Sequence, residues 1–509
     1  MAHKYCAIQY LFVNCPRLYN PVQTCIDTSM WTNYLQPWVY PVLFILYAAT
    51  IISCIAVVLS EKRNPIKSLA WVVALIFLPV VGLVMYMFFG RSLKNMRMIS
   101  RHNKRKLLSR QYNNAVSVDP ETLAEDSRSL IKLASSLGAS PLSYATSMDI
   151  FTTGKGKFEA LKEDLGNARK SINLQYYIFS DDRLGLEIAA ILMDKARQGV
   201  KVRVIYDHVG SFSAPSRFFT KMREAGVDAH PFFRVTFPQL ANRINWRNHR
   251  KVAIIDERIG YVGGMNIASR YIDGFKPGKV WRDIHLRLEG PVLAGLQYSF
   301  AVDWNFLKHH TDIEPIDILP SPGPDQTRIP AQFITSGPTD QWPAIAYLYH
   351  RAILQAKKCV YIQTPYFLPT DSLLKALETA ALARVDVRVM MPAVPDSVLL
   401  RYASYSYITE CLQTGIKVYL YTAGMLHSKV LLVDDEFCSV GSTNFDFRSF
   451  EHNFEGNMLI YDKRVNHELR EQFFVDVREC LKLTLSSWLT RPQTLRFGES
   501  IIRLLSPIL

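Results

Sequence analysis

The sequence contains one short motif twice, and this repeat constrains the fold more than any other feature. Histidine, lysine, aspartate, glycine and asparagine recur with the same internal spacing, and the two copies lie 178 residues apart. The copies are His249, Lys251, Asp256, Gly263 and Asn266, and His427, Lys429, Asp434, Gly441 and Asn444. A single His-x-Lys tripeptide is weakly informative. Two copies in register predict a duplicated chain in which each half supplies part of one active site.

Four consecutive apolar residues follow each lysine, at 252–255 and at 430–433. Runs of this kind are typical of strands that are buried on both faces. Because side chains alternate along a strand, each histidine should share a face with the lysine two residues later, whereas the aspartate should point the other way. We therefore expect Asp256 and Asp434 to hold loops or lysines from behind the site.

Two imidazoles and two ammonium groups in one pocket suit a phosphodiester substrate. Lysines balance the charge of a phosphate. Imidazole titrates near neutral pH, so one histidine can attack phosphorus while the other protonates the leaving oxygen. Asn266 and Asn444, which end the two motifs, are candidate hydrogen-bond donors to the same anion. The sequence has no evident carboxylate pair, Cys/His cluster or His-Glu-x-x-His run, so we expect no metal ion and no cofactor.

The paired motifs resemble the HKD signatures of the phospholipase D superfamily and, within it, those of the bacterial cardiolipin synthases. Further matching segments are Asn-Trp-Arg-Asn at 245–248, Trp-Arg-Asp at 281–283, Gly-Pro at 290–291, Gln-Thr-Pro-Tyr-Phe at 363–367 and the C-terminal stretch 503–509. The resemblance extends from Trp38 to the last residue and is least specific across the linker 100–140. One departure is Ser442, which stands where the first motif has Gly264.

The resemblance implies a two-step transfer through a phosphohistidine intermediate. The family's catalytic set maps to His249, Lys251, Asp256, His427, Lys429 and Asp434. His249, in the N-terminal motif, would be the nucleophile, and His427 would act first as acid and then as base. In the family an acidic residue downstream of each motif commonly orients the histidine of that motif, and Asp283 and Glu455 are the candidates.

The implied activity is cardiolipin synthesis. One phosphatidylglycerol would lose its terminal glycerol to the enzyme, and the free hydroxyl of a second would then displace the histidine without any energy source. The expected partners are phosphatidylglycerol, other anionic phospholipids and the membrane, but not nucleic acid. A membrane-anchored phospholipase D hydrolase or nuclease is the alternative, because water or a nucleic acid would meet the same groups. A non-catalytic lipid-binding scaffold is disfavoured by two intact His-Lys pairs.

Two uncharged runs near the N-terminus, 38–59 and 68–90, are each long enough to cross a bilayer. A block of basic residues without any acidic one follows: Arg91, Lys94, Arg97, Arg101, Lys104, Arg105, Lys106 and Arg110. The positive-inside rule therefore predicts a multi-pass cell-membrane protein with a cytoplasmic catalytic region. Lys62, Arg63 and Lys67 in the connecting loop oppose this orientation. The block could also bind anionic lipid headgroups.

Charge and cysteines agree with this location. The net charge of +14 predicts an anionic partner, either nucleic acid or acidic lipid. Eight cysteines without a Cys-x-x-Cys pair predict free thiols in a reducing compartment, although Cys6, Cys15 and Cys25 could pair if the N-terminus lay outside.

Strand and helix patterns alternate in both halves, which predicts an α/β fold. With the resemblance, the predicted architecture is a two-lobed, pseudo-twofold phospholipase D fold, with a sheet flanked by helices in each lobe, preceded by a two-helix transmembrane hairpin. The predicted segments are an N-terminal segment 1–37, the hairpin 38–90, a basic linker 91–140, lobes 141–315 and 339–509, and a connector 316–338 between the lobes. Gln175 with Gln363, and Arg203 with Arg388, are the predicted equivalent positions.

Overall fold

The computed structural model describes residues 28–60, 65–86, 96–112, 117–235, 245–274, 276–308, 313–316, 328–504 and 506. The chain divides into two compact units, Met1–Gly90 and Arg91–Leu509. Some predictions concern residues outside the described ranges: the first 27 residues, Lys62 and Arg63 of the loop, Arg91 and Lys94 of the basic block, and the last three residues.

The described residues of the first unit are helical apart from a bend at Leu78. Helix α1 (Thr28–Ser60) contains the segment Trp38–Ala56, whose mean hydropathy is 2.2, and it is the one described helix that is long and apolar enough to cross a membrane. The second uncharged run forms two shorter helices, α2 (Pro65–Phe77) and α3 (Pro79–Met85). The break precedes Pro79 because proline lacks an N–H and its ring disfavours helical geometry in the preceding residue.

The second unit combines strands and helices. Its strands are β1 (Ser143–Ala145), β2 (Ser147–Phe151), β3 (Ser171–Tyr176), β4 (Lys201–Asp207), β5 (Asp228–Phe232), β6 (Arg247–Asn248), β7 (Val252–Ile255), β8 (Ile259–Gly263), β9 (Val280–Arg282), β10 (His285–Glu289), β11 (Ile329–Ser336), β12 (Cys359–Gln363), β13 (Asp386–Pro392), β14 (Lys417–Tyr421), β15 (Gly424–Leu426), β16 (Val430–Val433), β17 (Phe437–Gly441), β18 (Asn453–Tyr461) and β19 (Cys480–Lys482).

The helices of this unit are α4 (Arg101–Tyr112), α5 (Glu125–Ser136), α6 (Gly154–Asn167), α7 (Arg183–Arg197), α8 (Ser216–Glu224), α9 (Arg270–Asp273), α10 (Leu293–Lys308), α11 (Ala344–Gln355), α12 (Asp371–Leu382), α13 (Val398–Tyr405), α14 (Ile408–Thr414), α15 (Phe447–Glu451), α16 (Lys463–Val477), α17 (Leu485–Leu489) and α18 (Gln493–Arg503). The predicted alternation of strands and helices is present in both halves.

The strands form two large sheets. The first has the order β2-β10-β8-β7-β3-β4-β5, in which β3, β4 and β5 are parallel. The second has the order β1-β11-β18-β17-β16-β12-β13-β14-β19, in which β12, β13 and β14 are parallel. In each sheet the strand that follows the motif lysine, β7 or β16, is fully buried and runs antiparallel to the first parallel strand. The prediction that both apolar runs are buried strands is therefore confirmed.

Strand register confirms the predicted equivalences between the halves. Gln175 and Gln363 each lie opposite the first residue of the strand that follows the motif lysine. Arg203 and Arg388 each lie opposite the residue two positions before that glutamine. The halves therefore repeat the same sheet despite the different spacing of these residues along the chain.

The linker and the connector are more structured than predicted. Within the linker, α4 packs against α10; Leu107 is fully buried there, while the basic side chains of α4 are exposed. The predicted connector is wrong over β11, which pairs with β1 on one side and β18 on the other. Its flanking prolines and glycines suggested a loop, but the residues between them include the β-favouring run Phe333-Ile334-Thr335.

Candidate active site

Two short parallel ladders join the halves and position both motif histidines. Strand β6 pairs with the start of β18, and the His249 N–H then donates to the Phe454 carbonyl at 2.9 Å. In the same way β15 pairs with β9, and the His427 N–H donates to the Arg282 carbonyl at 2.7 Å. Each accepting residue stands immediately before an acidic residue of the opposite half. Each histidine is thereby placed beside the other half's carboxylate.

Glu455 is the carboxylate that faces His249. Its two oxygens lie 2.9 and 3.1 Å from Nδ1 of the ring, and they also accept from the Ser442 hydroxyl and from Asn453 Nδ2. Burial lowers the pKa of His249 to about 4, although Glu455 opposes this effect. Burial alone would raise the pKa of Glu455, but His249, Lys251 and the Ser442 hydroxyl bring it below its usual value.

Asp283 is the carboxylate that faces His427. Its Oδ2 lies 2.7 Å from Nδ1 of the ring, and Oδ1 accepts from the Ile284 N–H at 2.8 Å. The same ring nitrogen lies 2.7 Å from Lys429 Nζ, so a carboxylate and an amine share it. Burial, reinforced by the Lys429 charge, holds the pKa of His427 well below its usual value. Burial also raises the pKa of Asp283 to about 6, against the opposing charge of Lys429.

The crossed pairing corrects one prediction from the family resemblance. Asp283 and Glu455 each contact a motif histidine, but each contacts the histidine of the other motif. The cause is the pair of ladders, which aligns each histidine with the strand segment that leads to the opposite acid. Distance along the chain could not reveal this exchange.

The two motif lysines lie behind the histidines. Lys251 and Lys429 are buried, and each ammonium group donates to the backbone carbonyl of the histidine two residues earlier. Burial lowers the pKa of Lys251 well below its usual value and that of Lys429 to about 8. An anion that enters the site would favour the charged form of both lysines.

Asn266 and Asn444 both line the cavity described below, and each is held by its own half. Asn266 accepts from the Ile178 N–H at 3.1 Å and donates to the Tyr271 hydroxyl at 2.8 Å. Asn444 donates to Asp446 at 2.9 Å, and its Oδ1 has no partner among the described residues. Each amide nitrogen carries two hydrogens, so one donor per residue is left for a ligand.

The two motif aspartates lie outside this cavity. The Asp256 carboxylate accepts from the backbone N–H groups of residues 169–171 at 2.7 to 3.0 Å. The Asp434 carboxylate accepts in the same way from residues 357–359, at 2.7 to 3.2 Å. Both therefore cap the start of the first parallel strand of their sheet. This position agrees with the parity argument, and it corrects their inclusion in the catalytic set.

One cavity of about 300 Å³ joins the half-sites, and it is lined by residues of both: Tyr177, Ile178, Arg247, His249, Asn266, Arg270, Trp281, Tyr366, Leu368, Asp396, Leu400, His427, Asn444, Asp446, Phe447, Arg448, Asn453 and Ser506. His249 and His427 thus face one shared space. The expected meeting of both imidazoles at one site is therefore present.

Three arginines of the cavity wall were not anticipated from the motifs. Arg247 is buried and contacts Asp207 at 3.3 Å, and its Nε and Nη2 have no partner among the described residues. Arg270 lies over the ring of Trp281, and Arg448 donates through Nη2 to the Asn245 carbonyl at 2.9 Å. Arg247 belongs to the Asn-Trp-Arg-Asn segment, so the family resemblance could have identified it as a site residue. The other two carried no sequence signal.

An acidic corner of the cavity was also missed. Tyr366 donates its hydroxyl to Asp396 at 2.5 Å, and the Asp396 charge acts on both His427 and Lys429. A carboxylate here opposes binding of a second phosphate but can accept hydrogen bonds from alcohol groups.

Comparison with known proteins identifies the family. Two segments, 161–275 and 349–476, match the family model "Cardiolipin synthase, PLD-like domain", and residues 45–91 match "Phospholipase_D-nuclease N-terminal". A cardiolipin synthase of Geobacillus kaustophilus (strain HTA426) is 37% identical over 468 residues, which are 91% of this chain and 93% of the relative. The chain belongs to the cardiolipin synthase family of the phospholipase D superfamily. Its activity class is that of a phospholipid phosphatidyltransferase, which favours the synthase prediction over the hydrolase or nuclease alternative.

Other relatives agree. The major cardiolipin synthase ClsA of Bacillus subtilis (strain 168) is 38% identical over 477 residues, 92% of this chain and 98% of the relative. The crystal structure of phosphatidylserine synthase from Haemophilus influenzae Rd KW20 has a TM-score of 0.58 at 15% identity, over 75% of this chain and all of that one. The structural likeness shows a shared fold.

Proposed function

We propose that the enzyme makes cardiolipin and glycerol from two molecules of phosphatidylglycerol through a phosphatidyl-histidine at residue 249. The main support is the cavity that both half-sites line. It brings together two imidazoles, each hydrogen-bonded to a carboxylate from the opposite half, and three arginines. A phosphodiester that binds there has a nucleophile and a proton donor within one site, and guanidinium groups to hold its oxygens.

In the first step, Nε2 of His249 forms a bond to phosphorus and the bond to the glycerol oxygen breaks. His249 is neutral because burial lowers its pKa, and Glu455 stabilises the positive charge that the ring gains during attack. His427 begins this step protonated, because the Asp283 carboxylate at its Nδ1 and the incoming phosphate anion both favour the charged ring, and it transfers its Nε2 proton to the departing glycerol oxygen. The lysines and Asn266 and Asn444 stabilise the phosphate charge from behind and beside it.

In the second step, the glycerol hydroxyl of a second phosphatidylglycerol attacks phosphorus and the bond to His249 breaks. His427 takes the proton of that hydroxyl, which restores its starting state. We assign the acceptor glycerol to the corner formed by Asp396 and Tyr366, because a carboxylate there can accept from its hydroxyls. One phosphodiester replaces another, so no cofactor is required.

A trapping experiment tests this proposal. The enzyme is mixed with phosphatidylglycerol radiolabelled at its phosphorus and quenched in alkali, in which phosphohistidine is stable. We expect label on the wild-type chain and slow, incomplete labelling of His427→Ala, which lacks both the proton donor of the first step and the base of the second. His249→Ala should carry no label and make no cardiolipin. Label retained by His249→Ala, or full activity of either variant, would exclude the two-histidine scheme.

We also propose that the first unit is a transmembrane hairpin, with the catalytic unit and both termini in the cytoplasm. The apolar residues of α1 are largely exposed, which suits lipid contact, and α2 with α3 together supply the return span. The basic residues after the hairpin favour this orientation. The proposed boundaries stay as predicted from the sequence, except that β11 and β1, which pairs with it, belong to the sheet of the second lobe. Labelling of cysteines introduced into the loop with a membrane-impermeant thiol reagent, in intact cells, would test the orientation: loop labelling supports it and loop protection contradicts it.

A further inference from the structure

The C-terminal helix α18 is amphipathic in an inverted sense. Phe497, Ile501 and Leu504 lie at helical spacing on one face, and this face is exposed: Phe497 is 69% accessible and Leu504 is 79% accessible. A helix that packs on a soluble protein buries its apolar face and leaves its polar face in water. Here the apolar face of α18 points away from the protein.

The inward face of α18 is held by charged groups. Arg491 contacts both oxygens of the buried Glu499 at 2.5 and 3.0 Å. Arg503 contacts both oxygens of Glu410 at 2.8 and 3.0 Å and lies over the ring of Tyr407. Two bidentate ion pairs therefore fix the rotation of the helix about its own axis. These ion pairs therefore hold the three apolar side chains on the outward face of the helix.

A second apolar element lies beside α18. The helix packs against α13, where Val398 and Leu399 are exposed, and Val394 just before that helix is exposed too. Leu400 of α13 and Ser506, two residues beyond Leu504, both line the catalytic cavity. The exposed apolar groups of α13 and α18 therefore border the entrance of the site.

We propose that these six side chains, Val394, Val398, Leu399, Phe497, Ile501 and Leu504, form a docking surface that inserts into the lipid leaflet that presents the substrate. The proposal rests on the proposed function, because it places that surface where a phospholipid enters. Amphipathic helices that lie on a bilayer bury their apolar face about 5–10 Å into the headgroup and acyl boundary. Insertion of this surface would bring the cavity entrance to the level of the headgroup phosphodiesters. Arg401 and Arg496, on the same two helices, add positive charge that complements an anionic leaflet.

A second protein chain is a less suitable occupant. A partner that covered these six side chains would also lie against the residues bordering the cavity entrance, and so would obstruct the path of a phospholipid. A leaflet covers the same surface and supplies the substrate at once. A protein partner is therefore an outcome that the test must detect.

Photocrosslinking tests the occupant. The full-length enzyme carries p-benzoylphenylalanine at Phe497 in proteoliposomes of phosphatidylglycerol and phosphatidylcholine. The matched control position is Leu382, which is 67% exposed at the end of α12, the helix that leads away from the cavity edge of the second sheet. We expect lipid adducts at position 497, at least tenfold above those at 382, by mass spectrometry. Crosslinks at 497 to this or another protein chain, or equal lipid adducts at both positions, would overturn the proposal.

A kinetic comparison separates docking from catalysis. The double variant Phe497→Ser/Leu504→Ser is assayed in nanodiscs with long-chain phosphatidylglycerol, and in nanodiscs of phosphatidylcholine alone with a dissolved short-chain phosphatidylglycerol. We expect at least a tenfold loss with the long-chain lipid and less than a twofold change with the dissolved one, while Leu382→Ser changes neither. Equal losses in both assays, or no loss in either, would overturn the docking surface. If the wild-type enzyme formed no cardiolipin from either substrate, the proposed function would fail instead.

Discussion

The two half-sites share a backbone plan but hold their carboxylates differently. Glu455, the longer side chain, also accepts hydrogen bonds from Ser442 and Asn453. Asp283 lies against Gly264, at the position equivalent to Ser442, where a Cβ would overlap its carboxylate. The pKa of Glu455 is accordingly below its usual value despite burial, because His249, Lys251 and Ser442 favour its ionised form, whereas burial raises that of Asp283 to about 6.

This difference separates the tasks of the two histidines. His249 faces a carboxylate that stays ionised, which suits a ring that must carry positive charge as it attacks phosphorus. His427 faces a carboxylate whose pKa burial raises to about 6, and its Nδ1 also contacts Lys429, which suits a group that passes a proton in both directions. The two halves therefore share the same backbone framework, and they differ in the groups that contact each carboxylate.

Removing the charge of each carboxylate should have the largest effect on the rate of transfer, and the effect should differ between the two half-sites. We expect Glu455→Gln to reduce the rate of transfer by about 10²-fold or more, because His249 loses the stabilisation of its positive charge. We expect a smaller loss for Asp283→Asn, because Asp283 is already partly neutral near its raised pKa. Initial rates with phosphatidylglycerol at one pH, beside the amount of trapped phosphatidyl-enzyme, provide the measurement. Full activity of Glu455→Gln would remove that residue from the site.

A pH profile sharpens the same comparison. The pKa of Asp283 is raised to about 6, so the carboxyl loses its charge as the pH falls through that value, and His427 then loses its acceptor. His249, with a pKa of about 4, stays neutral over the same range. We expect kcat/KM of the wild type to fall below about pH 6 toward the level of Asp283→Asn, and kcat/KM of that variant to stay nearly level. The same acid limb in both enzymes would assign the titration to another group.

The exchange of Gly264 and Ser442 has a smaller and asymmetric expected effect. Ser442→Gly removes one hydrogen bond to Glu455. We expect the free energy of unfolding to fall by about 1 kcal/mol and the rate of transfer to fall modestly. Gly264→Ser places a side chain on the Asp283 carboxylate, and we expect a larger loss of both stability and rate. Thermal inactivation and initial rates of both variants provide the test. Equal tolerance at the two positions would show that the half-sites are interchangeable.

The sequence was sufficient where the signal is periodic or repeated. Two copies of one motif predicted both buried strands, the doubled sheet and the meeting of His249 with His427. The crossed acids could not be predicted, because they depend on the ladders β6–β18 and β9–β15, which are short and involve distant parts of the chain. Asp396 and Arg448 were missed because single charged residues in loops or short helices carry no spacing that a sequence can reveal.

The smallest expected effect on rate belongs to the motif aspartates, and it tests whether the HKD signature is wholly catalytic. Asp256 and Asp434 have φ angles of 50° and 51°, and each binds three consecutive backbone N–H groups. Asparagine tolerates this conformation and keeps one acceptor oxygen, so Asp256→Asn and Asp434→Asn should fold.

We expect each of these variants to lower the midpoint of thermal inactivation by a few degrees, because a charged acceptor of three N–H groups becomes a neutral one. The rate of transfer below that midpoint should change less than twofold, since both side chains lie outside the cavity. Measuring both quantities on both variants decides the point. A large loss of rate at unchanged stability in either variant would return that aspartate to the catalytic set, and a loss in one alone would reveal a second divergence between the halves.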